Sequence, residues 1–262
     1  MKTICFASRK GGVGKSTATV LVARCLASSG KKILLIDLDS QMSSSFCFMP
    51  DNLREQDSFG NHHIAAAMQS ENDICDFAVH SNCHNIDLIR SYVDLPDLRS
   101  ISQFRLQQSF NSSQKIQCYD FVLIDTQGSY DNLSMNGMQA ADRIILPLFL
   151  SQFDFDCARY LEKKLKLEIP NGYEKLSLFF NGLHYKNGEV TKSDKDYIEL
   201  YKSNFSEEKF LKTNFSFTQK FKAIIDRDIK IGKSESFSKI RNEIISIASE
   251  IAGENVSPSD SF

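Results

Sequence analysis

The chain lacks an excess of charge of either sign. Its 262 residues carry 31 Lys and Arg against 33 Asp and Glu, a formal charge of −2. The molecule as a whole therefore has no electrostatic signature of a nucleic-acid binder. It also lacks a long apolar run. Ile144 to Leu150 is the longest, it contains Pro147, and it falls far short of the roughly 20 residues a bilayer-spanning helix needs. Seven cysteines are scattered without paired spacing, which excludes a readable disulfide framework or C-x-x-C zinc site and predicts reduced thiols. Cys75, His80, Cys83 and His84 crowd together after His62 and His63, but their spacing fits polar loop residues and buried thiols better than a metal centre. No linker and no internal repeat is visible. The apolar part of Met1 to Lys10 is too short for a signal peptide. A hydrophobic content of 42% supports a sizeable core and excludes a disordered chain. The expectation is a soluble, cytoplasmic protein without stable membrane insertion.

Against these absences stands one dense motif. Residues 8–17 read Ser-Arg-Lys-Gly-Gly-Val-Gly-Lys-Ser-Thr. This is a variant phosphate-binding loop, with Arg9 where the general pattern has its first glycine. Gly11, Gly12 and Gly14 let the backbone take positive φ and approach a polyphosphate without a Cβ in the way. With Val13 they turn successive amides inward as an anion nest. Lys15 is placed to reach the β- and γ-phosphates, and the Ser16 hydroxyl to ligate Mg²⁺. Thr17 opens a helix whose N-terminal dipole favours negative charge. Thr3 to Ala7 reads as a buried strand, Ala18 to Ser29 as a helix capped by Gly30, and Lys32 to Asp37 as a second buried strand. Strand, glycine-rich loop, helix, strand is the context a P-loop requires.

Farther on, Ile86 to Ile89, Phe121 to Ile124, Ile144 to Leu148 and Leu176 to Phe180 read as buried strands. Gln41 to Asn61 reads as a switch loop with a short helix. Ile64 to Gln69, Asp73 to Val79 and Pro96 to Gln117 read as helices. Alternating strands and helices with near-continuous apolar strands predict an α/β fold, a mostly parallel twisted sheet covered by helices on both faces. Ligands in such sheets sit at the carboxyl ends of strands, where Ser8, Asp39, Thr126 and Asn181 converge. The division expected is one P-loop NTPase domain over residues 1–252 and a polar tail over 253–262.

With Lys10 in view, the chain resembles the ParA/MinD family of P-loop ATPases, the deviant Walker A (SIMIBI-class) group. Asp37-Leu38-Asp39-Ser40-Gln41 is similar to the family's D-x-D-x-Q segment. Tyr119 to Thr126 is similar to its Walker B strand, Ala140 to Pro147 to its A-A-D strand, and Leu178 to Asn181 to the strand ending in an adenine-side asparagine. Phe237 to Ala248 and Asn85 to Arg90 resemble the partition branch, ParA or Soj, more than MinD, although Arg90 replaces a proline. The resemblance implies ATP and Mg²⁺ as ligands, a homodimer formed around ATP, non-specific DNA binding, and slow hydrolysis stimulated by a ParB-like partner in plasmid or chromosome partition. It assigns Lys10 to the partner's phosphates across the dimer, Asp39 to the attacking water, Asp125 to a water in the magnesium shell, and Asn181 to the adenine edge. Two alternatives stand beside it: a MinD-like positioning ATPase, and a nucleotide-dependent scaffold with little turnover. Gln127 replaces a proline after Walker B, which frees φ and restores an N–H donor. It reads either as a solvent-facing loop residue or as a water-orienting group.

The neutral total hides a local asymmetry. From Lys209 to Arg241 there are nine basic residues and three acidic, a net of +6. Such a patch can neutralise phosphates without reading sequence. Lys220, Lys222, Arg227, Lys230 and Lys233 are its candidate DNA contacts, and binding there implies a nucleoid-associated protein. The apolar stripe Ile240, Ile244, Ile247 and Ile251 shares its helix with Glu243 and Glu250, so it reads as core packing rather than as a basic membrane-surface helix.

Overall fold

Strands buried on both faces need apolar residues at every position rather than at alternate ones. The computed structural model describes residues 1–49, 62–92, 95, 100–226, 231–232 and 234–262. Its strands are β1 (Lys2–Phe6), β2 (Ile33–Leu38), β3 (Val79–His80), β4 (Ile86–Ile89), β5 (Phe121–Thr126), β6 (Arg143–Leu148), β7 (Leu176–Leu183), β8 (Tyr185–Lys186), β9 (Glu189–Val190) and β10 (Phe215–Ser216). The main sheet runs β10-β7-β6-β1-β5-β2-β4-β3. Its pairings are parallel except for β3 against β4. β8 and β9 form a separate antiparallel hairpin.

Side-chain alternation sorts each central strand between two cores. Ile33, Leu35, Phe121 and Leu123 join Ile4 and Phe6 on one face, under helix α1 (Lys15–Ser28) and the helix Glu235–Ala252. Leu34, Ile36, Val122 and Ile124 join Cys5 on the other, with the helices Gln152–Glu168 and Asn132–Ala140. Burying each large side chain stabilises the fold by roughly 1.5–3 kcal/mol. α1 is buried on nearly all sides from Ala18 to Ala27, which explains its apolar sequence all round.

The expected strands lie within a residue or three of their observed bounds, and Ile64–Gln69 is a helix as read. Two expectations are corrected. Asp73 to Val79 is a four-residue 3₁₀ turn, Ile74–Phe77, followed by β3. The Asp73 carboxylate caps that turn and also accepts from Ser113 and Gln114, so it is held from both sides of the chain. Within Pro96 to Gln117 the helix is only Arg105–Ser112, residues 96–99 lying outside the described residues. Its start is set by tertiary partners: the Leu106 amide donates to Asn136 Oδ1 at 3.0 Å. The hairpin β8–β9 and the helix Lys192–Lys202 are additions that the apolar pattern of the sequence does not announce. Ile240, Ile244, Ile247 and Ile251 are buried in the core, as their pattern indicated. Among the described residues no helix is long and apolar enough to cross a membrane.

The segment from Gly253 onward is docked. Val256 and Phe262 are buried, and Ile231 and Phe262 exchange backbone hydrogen bonds in both directions. Arg241 clamps this end: Nη1 donates to Ile231 O at 3.1 Å, Nη2 donates to Ser259 O at 2.7 Å, and the guanidinium lies 4.8 Å from the Phe262 ring centroid. Arg241 is therefore withdrawn from the basic surface patch. Arg241→Ala should lower stability by about 2 kcal/mol, the usual size for charged hydrogen bonds lost from a buried site. A shift in the urea midpoint at constant slope checks this.

Candidate nucleotide site

The loop between β1 and α1 owes its shape to two glycines with positive φ, Gly12 at 79° and Gly14 at 88°. A Cβ on Gly11 or Gly12 would meet nothing within 4 Å, so this face of the loop is open. A Cβ on Gly14 would fall on Asn181 Nδ2. That amide donates to Val13 O at 2.8 Å, tying the end of β7 to the loop. The first turn of α1 carries no acidic side chain, which leaves its amides and dipole available to an anion. A cleft of about 460 Å³ opens beside Ser16 and Thr17 and is lined also by Val20, Ser43, Phe46, Cys47 and Ile225.

The two lysines behave differently. Lys15 is buried at 5% exposure, and its Nζ donates to Ser8 Oγ at 3.1 Å and Lys10 O at 3.3 Å. Burial lowers its pKa, while Asp125 and Asp39 oppose that shift. Lys10 reaches away from the loop. Its Nζ sits 3.0 Å from Asp154 Oδ2, with the lysine side chain 35% exposed and the aspartate 5%. Asp154 lies in the first turn of Gln152–Glu168, and its amide donates to the capping Ser151 Oγ at 3.2 Å. Nearby, the Arg9 guanidinium stacks on Tyr160 at 3.9 Å.

On the other side of the loop, Asp37 and Asp125 face each other in register on β2 and β5. Both are fully buried. Asp37 accepts from the Asp39 amide at 2.9 Å, from the Ser45 amide at 2.8 Å and from Ser45 Oγ at 2.7 Å. It therefore shapes the site. Both Asp125 oxygens lack a hydrogen bond of normal geometry. Desolvation raises both carboxyls, and for Asp125 the Asp37 charge adds to it, against weaker help from Ser16 and Lys15. Orphaned, buried carboxylate oxygens beside a loop serine fit a hydrated divalent cation, which Ser16 and Asp125 would hold.

Asp39 Oδ1 accepts from the Gln41 amide at 2.9 Å, while the cap position of helix α2 (Ser43–Phe48) is Met42. Two partners escaped the sequence reading. Ser91 Oγ donates to Asp39 O at 2.7 Å, and the Ser91 amide donates to Ser45 Oγ at 2.9 Å. Together they hold the Asp39 backbone against β4. Gln127 is half-buried: its Nε2 donates to Asp131 Oδ2, and Asp131 caps Asn132–Ala140 through the Ser134 amide at 3.0 Å. Gly128 follows, and any Cβ there would collide with the Gly11 and Lys10 backbone. The Asp125–Gly128 turn thus presses on the loop. Of the DNA candidates, Lys220 is exposed. The Lys222 side chain, Arg227, Lys230 and Lys233 lie outside the described residues.

A glycine-rich loop joining a central parallel strand to a buried helix, with carboxylates at the ends of two neighbouring strands, defines a P-loop NTPase of the α/β class. The chain belongs to the AAA_31 family of AAA domains, whose profile matches residues 1–175, and is of the ParA/MinD partition-ATPase type. It is 27% identical over 238 residues to the chromosome-partitioning ATPase Soj of Treponema pallidum, covering 90% of this chain and 87% of that one. An AMPPNP-bound structure from Borrelia burgdorferi B31, assigned as a plasmid partition protein, superposes with a TM-score of 0.74. That match has 25% identity and covers 95% of this chain and 98% of the other. Two uncharacterized proteins of Mycobacterium tuberculosis are 29% identical over 150 residues, and the chain spans 46% of their length.

The carboxylate pair has a consequence for stability. A carboxyl raised in the folded state contributes least at high pH: once pH passes its unfolded value near 4, folding must hold a proton that the unfolded chain releases. Without nucleotide or metal, stability should fall as pH rises above about 4, by up to about 1.4 kcal/mol per pH unit per raised group. Asp125→Asn should flatten that slope. Urea unfolding from pH 5 to 8 compares the two proteins.

Proposed function

We propose that the protein is an ATP-dependent dimerising switch of the ParA type. It binds non-specific DNA in the ATP state and hydrolyses ATP slowly on stimulation by a ParB-like partner, in plasmid or chromosome partition. The observation that carries this reading is the second lysine. Lys15 is committed to the inside of the loop, whereas Lys10 is stored at the rim on Asp154, a cation that one nucleotide site does not need. A second copy bringing its own phosphates to this face would draw Lys10 off Asp154.

In this reading the amides of Gly11 to Gly14, with Lys15, Ser16 and Thr17, hold the phosphates. Ser16 and Asp125 hold the Mg²⁺ shell, which when bound neutralises charge developing on the transferred phosphoryl group. Asp39, braced by Ser91, orients the attacking water. Asn181 has spent Nδ2 on Val13, which leaves Oδ1 to accept from an adenine amino group. The basic segment around Lys220 supplies the phosphate contacts to DNA. Phosphoryl transfer needs little covalent help from the protein beyond such positioning and charge.

The test is a salt titration of duplex DNA binding with ATP, with ADP and without nucleotide, alongside the oligomeric state. ATP-dependent binding that weakens steeply with salt is expected; its absence at low salt overturns the DNA reading. Lys15→Ala should abolish nucleotide binding, whereas Lys10→Ala should keep monomer binding and lose the dimer. Asp154→Asn releases Lys10. Removing one partly exposed ion pair should tighten ATP-dependent dimerisation on the order of fivefold, read by analytical ultracentrifugation. Unchanged dimerisation would remove Asp154 from the switch.

A further inference from the structure

Ser44 has no task in the site described above. It lies in α2 with no exposed surface, and its hydroxyl makes no hydrogen bond of normal geometry. Serines and threonines buried in helices usually bond back to the carbonyl one turn earlier. Thr19 does so to Lys15 O at 2.9 Å and Ser109 to Arg105 O at 3.0 Å. Ser44 does not. Its hydroxyl lies instead close enough to Asp37 and Asp125 to favour the charged form of both.

Its neighbours are largely engaged. Ser45 Oγ serves Asp37 and the Ser91 amide, and Asp37 accepts from two amides and that hydroxyl, which leaves about one acceptor site on Oδ1. Among the described residues, the two oxygens of Asp125, which Ser44 approaches, also lack a hydrogen bond of normal geometry. A buried hydroxyl and a buried carboxylate left unpaired together are costly unless a polar ligand completes them. Mg²⁺ keeps several of its waters, and those waters need oriented partners beyond the direct ligands. A hydroxyl suits this place because it can accept from a water while donating to a carboxylate.

We propose that Ser44 is a positioning residue for the divalent cation, its hydroxyl fixing a water of the Mg²⁺ shell beside Asp125. This rests on the Mg·ATP reading of the site. The experiment is a Mg²⁺ titration of fluorescent ADP binding to the wild type, Ser44→Ala and Ser44→Thr, with ADP affinity in EDTA and metal-free thermal unfolding measured in parallel. Ser44→Ala should need about tenfold more Mg²⁺ for half-saturation, as losses of such outer partners do. Its ADP affinity in EDTA should be unchanged, and its metal-free unfolding should remain a single cooperative transition, which shows that the fold is kept. Ser44→Thr should restore the Mg²⁺ dependence. An unaltered Mg²⁺ requirement in Ser44→Ala overturns the inference, as does an equal loss of ADP binding in EDTA. A wild type whose ADP binding ignores Mg²⁺ would instead overturn the underlying reading of the site.

Discussion

Two buried carboxylates, side by side on adjacent central strands, are the constraint on which the site depends. Asp37 and Asp125 pair in register at the ends of β2 and β5, where no solvent reaches them. The chain resolves the conflict asymmetrically. Asp37 is given three donors and becomes a structural hub that fixes Asp39 and the start of α2. Asp125 is left without a hydrogen bond of normal geometry. An arrangement this unfavourable in isolation would be relieved by a cation sharing the space, and buried, perturbed carboxyls of this kind mark candidate functional sites.

The glycine-rich loop is held by close approach of neighbouring elements. Gly14 lies against Asn181 from β7, and Gly128 lies against Gly11 from the turn after β5. Both contacts need a residue without Cβ. They join the loop to the carboxyl ends of strands on either side of β1. Lys10 adds an element that points outward, moored to the first turn of Gln152–Glu168. The two lysines thus point opposite ways, Lys15 into the loop and Lys10 out to its rim.

Legibility followed physical range. Central strands announced themselves because burial on both faces demands unbroken apolar runs, and the loop because its glycines, lysines and serine must be contiguous. The short 3₁₀ turn at Ile74–Phe77 and the truncated helix Arg105–Ser112 misled because distant partners, Ser113 for one and Asn136 for the other, set their ends. β8–β9 and the helix Lys192–Lys202 carry few buried residues, so their pattern was faint. At the site, Ser91 and Asp154 were invisible for the same reason. Each is far in sequence from the residue it holds.

By itself the sequence determined the class of fold, the phosphate-binding loop and the family, because those rest on local spacing and hydrophobic run length. Tertiary structure alone decided which carboxylate is satisfied and which is orphaned, where Lys10 rests, and that the segment after Gly253 is docked through Arg241. Those outcomes depend on which hydrogen-bond donors arrive from other strands and helices, and a one-dimensional pattern does not encode that meeting.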